Sequence, residues 1–178
     1  MIVIVAGVAG SGKTTIGMQL AERLGWRFAD ADSFHPAANV AKMRQGIPLT
    51  DKDRAPWLRA IRGWMDDVEA AGQSAVVTCS ALRRVYREQL LAGHPTTRMV
   101  FLMVTRDQLV RRLAHRPGHF FPEDLLDSQL HALEPPAPDE GILTVQERGD
   151  VAHTVTEIIT RLGLDSGDGE SGQGGPRR

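Results

Sequence analysis

Gly7-Val8-Ala9-Gly10-Ser11-Gly12-Lys13-Thr14 limits what this chain can become more than any other stretch. The spacing is that of a phosphate-binding loop: Gly, four residues, then Gly-Lys-Ser/Thr. Its flanks supply the context that the motif needs. Ile2-Val3-Ile4-Val5-Ala6 is an unbroken apolar run rich in β-branched residues, the composition of a strand buried on both faces of a parallel sheet. Ile16, Leu20 and Leu24 then fall at helical spacing. The glycines therefore lie where a strand passes into a helix N-terminus. There glycine can take positive φ, successive N–H groups converge, and the helix dipole adds partial positive charge. Such a turn favours bound phosphate. Lys13 is expected to reach the β- and γ-phosphates of ATP, and the Thr14 hydroxyl to ligate Mg²⁺. Ser11 and Thr15 are candidates for further phosphate contacts. The bland alternative, a chance match in a Gly-rich turn, does not account for the strand before and the helix after.

Composition narrows the class. With 178 residues, 42% of them hydrophobic, the chain can bury the core of one domain, expected over 1–164. A formal net charge of −1 gives no nucleic-acid footprint. Cys79 is the only cysteine, which rules out an intrachain disulfide and fits a reducing, cytoplasmic setting. The opening apolar run lacks a basic leader and enters the loop directly, so no signal peptide is expected. No stretch is long enough to span a membrane. From Asp165 the sequence turns to Ser, Gly, Asp and Glu, and 165–178 is expected to be a disordered tail.

Periodicity and turn residues predict alternating strands and helices. A first helix covers 13–24 and ends at Gly25. Residues 26–32 read as a short strand with its exit loop, and 36–44 as a short helix. The next helix carries Leu58, Ile61, Met65 and Val68 on one face, with Pro56 in its first turn and Asp51 or Asp53 as cap. Strands follow at 74–79, 99–104 and 142–145, and a helix opens at Ala81. Thr105 with Gln108 fits a capping box, and Asp150 can cap the last helix. The expected fold is an α/β three-layer sandwich with a mostly parallel five-stranded sheet and a helical lid at about 106–133.

Two sets of residues stand out as chemistry. Asp30 and Asp32 are two apart, so in extended chain they point the same way, at a strand's C-terminal end where open α/β sheets place ligands. Alone, this would read as a solvated turn or a cap. Beside a phosphate loop it fills two roles still open, a metal ligand and a base. The strand at 74–79 ends in Thr78-Cys79-Ser80 with no acid, which shifts the metal role towards Asp30. Arg112 and Arg116 are four apart and project from one side of a helix, followed by Pro117-Gly118 and a returning helix from Pro122. That pattern suits a lid over the phosphates, against the bland reading of a solvated arginine face.

Taken together, the string resembles the gluconate kinases, within the phosphate-loop small-molecule kinases related to shikimate and adenylate kinases. The resemblance rests on the phosphate loop, Asp30-Ala31-Asp32 with His35-Pro36, and Asn39 with Lys42-Met43. It continues through Gly46, Pro48-Leu49-Thr50-Asp51, Asp53-Arg54 and Pro56-Trp57-Leu58. Cys79-Ser80-Ala81-Leu82, Tyr86-Arg87 and Arg116 with Gly118-His119-Phe120 complete it, over roughly 1–160. It implies ATP-dependent phosphorylation of D-gluconate at its 6-hydroxyl, giving 6-phosphogluconate and ADP. Residues 146–150, Gln-Glu-Arg-Gly-Asp, depart from the family, where an aspartate and a proline are common, so nucleobase contacts are not assigned.

The chemistry then distributes roles. Lys13, with Mg²⁺ on Thr14, forms the fixed part. Asp30 is the candidate for Mg²⁺ through water, and Asp32 for accepting or orienting the hydroxyl proton; spacing alone allows the exchange of these two. Arg112 and Arg116 would close over the γ-phosphate. An anionic polyol calls for cations and for two-way hydrogen bonding, so Lys42, Arg54, Arg83 and Arg87 are candidates for its carboxylate, and His35 and Ser80 for its hydroxyls. His35 could instead stabilise its loop, and each cation could be a plain solvated side chain. His94, His115, His131 and His153 show no zinc spacing. Trp57 and Trp64 are seven apart on one helical face, which favours the core or a subunit contact over sugar stacking and leaves a homodimer open. Competing readings are a kinase acting on shikimate or a nucleoside monophosphate, and a nucleotide-dependent switch without acceptor.

Overall fold

The computed structural model describes residues 1–114 and 123–164. Five strands, β1 (Ile2–Ala6), β2 (Arg27–Asp30), β3 (Ala75–Cys79), β4 (Arg98–Met103) and β5 (Leu143–Gln146), form one parallel sheet in the order β2-β3-β1-β4-β5. Every residue of β1 and β3 is buried, as their unbroken apolar sequence requires. The helices among the described residues are α1 (Lys13–Leu24), α2 (Ala37–Arg44), α3 (Asp51–Ala70), α4 (Arg84–Leu91), α5 (Arg106–Ala114), α6 (Glu123–Ala132) and α7 (Val151–Leu162).

The two-residue period of β1 divides the core. Ile2, Ile4 and Ala6 belong to one cluster, with Ile61 and Met65 of α3, Leu90 of α4, Leu109 of α5 and Leu126 of α6. Val3 and Val5 belong to the opposite cluster, with Ile16 and Leu20 of α1 and Val155 and Ile158 of α7. The result is the expected three-layer α/β/α arrangement. On the second face α1 lies very close to the sheet. A Cβ built on Gly17 would come within 2.6 Å of Thr78 Cγ2 and 3.1 Å of the Phe28 ring. β1 sits between β3 and β4, so its C-terminal end, where the phosphate loop begins, is the crevice that such sheets use for ligands.

Caps explain most element ends. Gly25, in the left-handed conformation, closes α1, and Asp150 caps α7 by accepting from the His153 N–H. Thr105 and Gln108 form the expected box before α5. Two helix starts differ from expectation. Neither Asp51 nor Asp53 is the cap of α3: Thr50 is, and Asp53 is its box partner, so the helix starts earlier and Pro56 lies inside it. α4 starts at Arg84 rather than Ala81, because Ala81 has φ +40°, outside the helical region. The expected lid hinge at 117–122 and tail at 165–178 lie outside the described residues. Among the described residues no helix is long and apolar enough to cross a membrane.

Candidate active site

The loop between β1 and α1 is built by glycine. Gly7, Gly10 and Gly12 have φ of +147°, +78° and +91°. A Cβ on Gly7 would lie 2.7 Å from Ser11 Oγ and 3.1 Å from the Leu102 carbonyl oxygen, so no larger residue fits there. Ser11 is fully buried beneath the loop, and its N–H bonds the Val8 carbonyl at 3.2 Å. Its hydroxyl oxygen is buried with no hydrogen-bond partner among the described residues. Lys13 Nζ donates to the Val8 carbonyl at 2.9 Å, drawing the ammonium over the loop. The Ala9 N–H donates to Gln129 Oε1 of α6 at 2.7 Å, which ties that helix to the loop. Thr15 is exposed on the first turn of α1.

Thr14 and the acidic pair meet beside the loop. Thr14 Oγ1 donates to Asp30 Oδ2 at 2.9 Å. Asp30 Oδ1 accepts the Asp32 N–H at 3.0 Å, and the Asp30 carbonyl accepts from Ser33 Oγ at 2.7 Å. β2 ends at Asp30, and Asp32 lies on a 3₁₀ turn, Ala31–Phe34. The chain thus curls around Asp30, and the expectation of two carboxylates side by side on extended backbone is corrected: Asp30 caps the turn that carries Asp32. The Thr14 hydroxyl and Asp30 carboxylate form a hard-oxygen pair at the head of α1. This fits Mg²⁺, which takes few protein ligands and keeps waters and phosphate oxygens. Among the described residues no three His, Cys, Asp or Glu side chains gather into a metal cage.

Beyond the acids, α2, α3 and α4 present the acceptor candidates. His35 stacks on Trp57, with ring centroids 4.5 Å apart and planes 8° from parallel. Trp57 is buried and its Nε1 donates to the Ala31 carbonyl at 2.7 Å, so it is core and a platform for His35. Trp64 is half-buried against Phe34, 6.1 Å between centroids. Burial pushes the His35 pKa down, with the Arg54 charge adding to it and Asp32 opposing, so the imidazole is neutral at pH 7. Its Nδ1 faces Asn39 Nδ2 at 3.4 Å.

The cations there have partners. Lys42 pairs with Asp53 at 2.7 Å, and that bond, with two more from Thr50, holds the Asp53 carboxyl far below the usual carboxylate range. Arg83 donates to both Asp51 oxygens at 2.8 and 2.7 Å, and Tyr86 Oη donates to Asp51 as well. Those bonds, Tyr86 first, lower the Asp51 pKa, while burial and the donation to Asp51 raise that of Tyr86. Arg54 and Arg83 each lie 5.6 Å from the Tyr86 ring centroid. Arg54 also bonds the Leu49 carbonyl; neither the ring nor the carbonyl is charged. Ser80 is half-buried, and its carbonyl accepts from the Gly7 N–H at 3.4 Å.

Arg87 needs a correction. It is buried, 1% exposed, and bidentate to Glu140 at 2.7 and 2.9 Å, with further bonds to the Ala81, Leu82 and Glu134 carbonyls. Its donors are used within the protein, so it joins α4 to the segment before β5 instead of facing an acceptor. Arg112 pairs with the buried Glu147, and its Nη1 lies 4.0 Å from a Cβ built on Gly12, at the edge of the loop. Arg116 is outside the described residues. Burial pushes the Cys79 thiol up to about 12, which makes it an inert core residue. Sequence reading missed Gln129 and Glu147. Each meets the site only across a long loop closure, and neither type carries a local signal for such contact.

A phosphate loop in the crevice of this sheet, with Lys13, Thr14 and two aspartates at its mouth, defines a phosphate-loop kinase of small molecules. A shikimate kinase family model matches residues 9–131. The chain is 49% identical over 156 residues to the gluconokinase of Gluconobacter oxydans (strain 621H), covering 88% of each chain. It is 44% identical over 173 residues to a probable gluconokinase of Xenopus tropicalis, covering 89% of this chain and 91% of that one. A sugar kinase from Janibacter sp. HTCC2649 superposes with a TM-score of 0.86 at 43% identity, covering 92% of this chain and 95% of that one. This chain belongs to the gluconokinase family.

Proposed function

We propose that this protein transfers the γ-phosphoryl group of ATP to the 6-hydroxyl of D-gluconate. The observation that carries the chemistry is the Thr14–Asp30 hydrogen bond, which brings Asp32 next to the loop that holds Lys13. The acceptor follows from the two gluconokinase relatives, at 49% and 44% identity.

Loop N–H groups and Lys13 bind the phosphates and take up negative charge as it moves to the bridging oxygen. Thr14 and Asp30 would hold Mg²⁺, Asp30 through water. Mg²⁺ supplies charge neutralisation across the β- and γ-phosphates when bound. The Thr14–Asp30 contact supports giving Asp30 the metal role and leaving Asp32, which is exposed, to the hydroxyl. Asp32 takes the proton of the gluconate 6-hydroxyl as that oxygen bonds to the γ-phosphorus and the bond to ADP breaks. Arg112, at the edge of the loop, stabilises the phosphoryl group in transit, and Arg116 is proposed to join it. Arg54 is the preferred partner for the gluconate carboxylate, since Lys42 and Arg83 already pair with Asp53 and Asp51. Neutral His35, fixed on Trp57, reads a hydroxyl, as does Ser80.

The test is the position of the new phosphate ester. Phosphorus NMR of the product from Mg-ATP and D-gluconate is expected to show coupling to the C6 protons. Phosphate on another carbon would overturn the assignment of the 6-hydroxyl.

A further inference from the structure

The residues that depart from the family pattern, 146–150, contain a buried acid in contact with the site. Glu147 directly follows β5 and is 2% exposed. Its own N–H donates to the Met103 carbonyl at 2.9 Å, fixing its backbone to the end of β4. Both carboxylate oxygens are engaged. Oε1 accepts the Gly149 N–H at 2.7 Å, and Oε2 accepts from Arg112 Nη2. The other terminal nitrogen of the same guanidinium, Nη1, is the group that borders Gly12. A continuous path therefore runs from the turn after β5, through one carboxylate and one guanidinium, to the phosphate loop.

A buried carboxylate is costly unless its oxygens are satisfied, and Glu147 meets that need with one backbone donor and one cation. The consequence for Arg112 is orientation. A free arginine samples many rotamers, whereas a planar guanidinium anchored through Nη2 on a rigid acid is restricted in where Nη1 can point. Catalytic groups gain from this, since misplacement by about 1 Å can cost on the order of 10²-fold in rate. We infer that Glu147 is the positioning residue for Arg112, holding its guanidinium at the edge of the phosphate loop for phosphoryl transfer. The inference rests on the proposed role of Arg112 in that transfer.

The experiment is a double-mutant cycle on kcat with Mg-ATP and D-gluconate, using Glu147→Ala, Glu147→Gln, Arg112→Ala and the Glu147→Ala/Arg112→Ala pair, with thermal midpoints for each. Glu147→Ala is expected to lower kcat by about tenfold to a hundredfold with KM for gluconate nearly unchanged. Glu147→Gln keeps an acceptor for Gly149 and is expected to fall between it and the wild type. The double variant is expected to be no slower than Arg112→Ala alone, because the acid acts only through the arginine. Additive losses, or an undiminished kcat in Glu147→Ala beside an impaired Arg112→Ala, would overturn this inference alone. An undiminished kcat in Arg112→Ala would overturn the role given to Arg112 and this inference with it.

Discussion

Lys13 and Asp32 are proposed to carry opposite tasks, and single substitutions separate them. Lys13→Ala removes a charge that stabilises the transferring group. Its kcat is expected to fall by on the order of 10²–10³-fold, with the fold retained in circular dichroism. A kcat near that of the wild type would remove the loop lysine from the mechanism. Asp32→Asn keeps the shape but cannot accept a proton. It should lower kcat by about 10²–10⁴-fold while ATP binding, read by calorimetry, stays within a few fold. Equal losses in both would assign Asp32 to the metal instead. At this scale the sequence is uneven. Lys13 and Thr14 are legible because the loop motif places them locally, whereas Asp30 is read from its place at a strand end and reaches Thr14 only on folding. Lys42, Arg83 and Arg87 were read as acceptor cations because a sequence shows charge but not partners. Their acids, Asp53, Asp51 and Glu140, lie on other elements and come together only on folding.

Elements were legible where chemistry is local and less so where it is shared. Gly25, Asp150 and the Thr105–Gln108 pair announce their helix ends through caps that span a few residues. The start of α3 was misread because Asp51, Thr50 and Asp53 are all good cap residues, and the box that selects Thr50 depends on which pair bonds reciprocally. The helix beginning at Arg84 was misread because nothing in Ala81 announces a positive φ. The packing of α1 on the sheet gives a prediction at this scale. Gly17 looks like a weak point in a helix, yet its Cβ position meets Thr78 and Phe28. Gly17→Ala should therefore destabilise the protein by about 1–3 kcal/mol in denaturant unfolding, despite alanine's higher helix propensity. Stabilisation would mean that α1 can move off β3 at little cost.

Across the whole molecule, α4 is tied to the segment before β5 by a buried ion pair, Arg87 with Glu140, whose side chains are 1% and 5% exposed. The hydrogen bonds from Arg87 lower the Glu140 pKa against the effect of burial. A lowered carboxyl pKa means that the unfolded chain binds the proton more readily. The stabilisation is therefore full above the ordinary glutamate pKa and is lost progressively as the pH falls from there through the lowered pKa of the folded state. Asp51 and Asp53 shift in the same direction, so the thermal midpoint is expected to drop steeply below about pH 4–5. Glu140→Ala leaves a buried guanidinium without its anion and is expected to cost about 3–5 kcal/mol at neutral pH. It should also flatten the acid limb; an unchanged limb would shift the pH dependence to other carboxylates.

The three-layer fold was legible from alternation of apolar runs and helical faces, whereas the strand order, which brings Gln129 and Glu147 to the loop, was not, since pairing depends on the packed whole. The central claim is acceptor-dependent phosphoryl transfer, and ADP release from Mg-ATP by the purified protein tests it most directly. Three conditions suffice: no acceptor, D-gluconate and shikimate. Release is expected with gluconate alone. Release that is the same in all three conditions would contradict the account, making the protein an ATPase or a switch and leaving Asp32 and Arg54 without a substrate to act on.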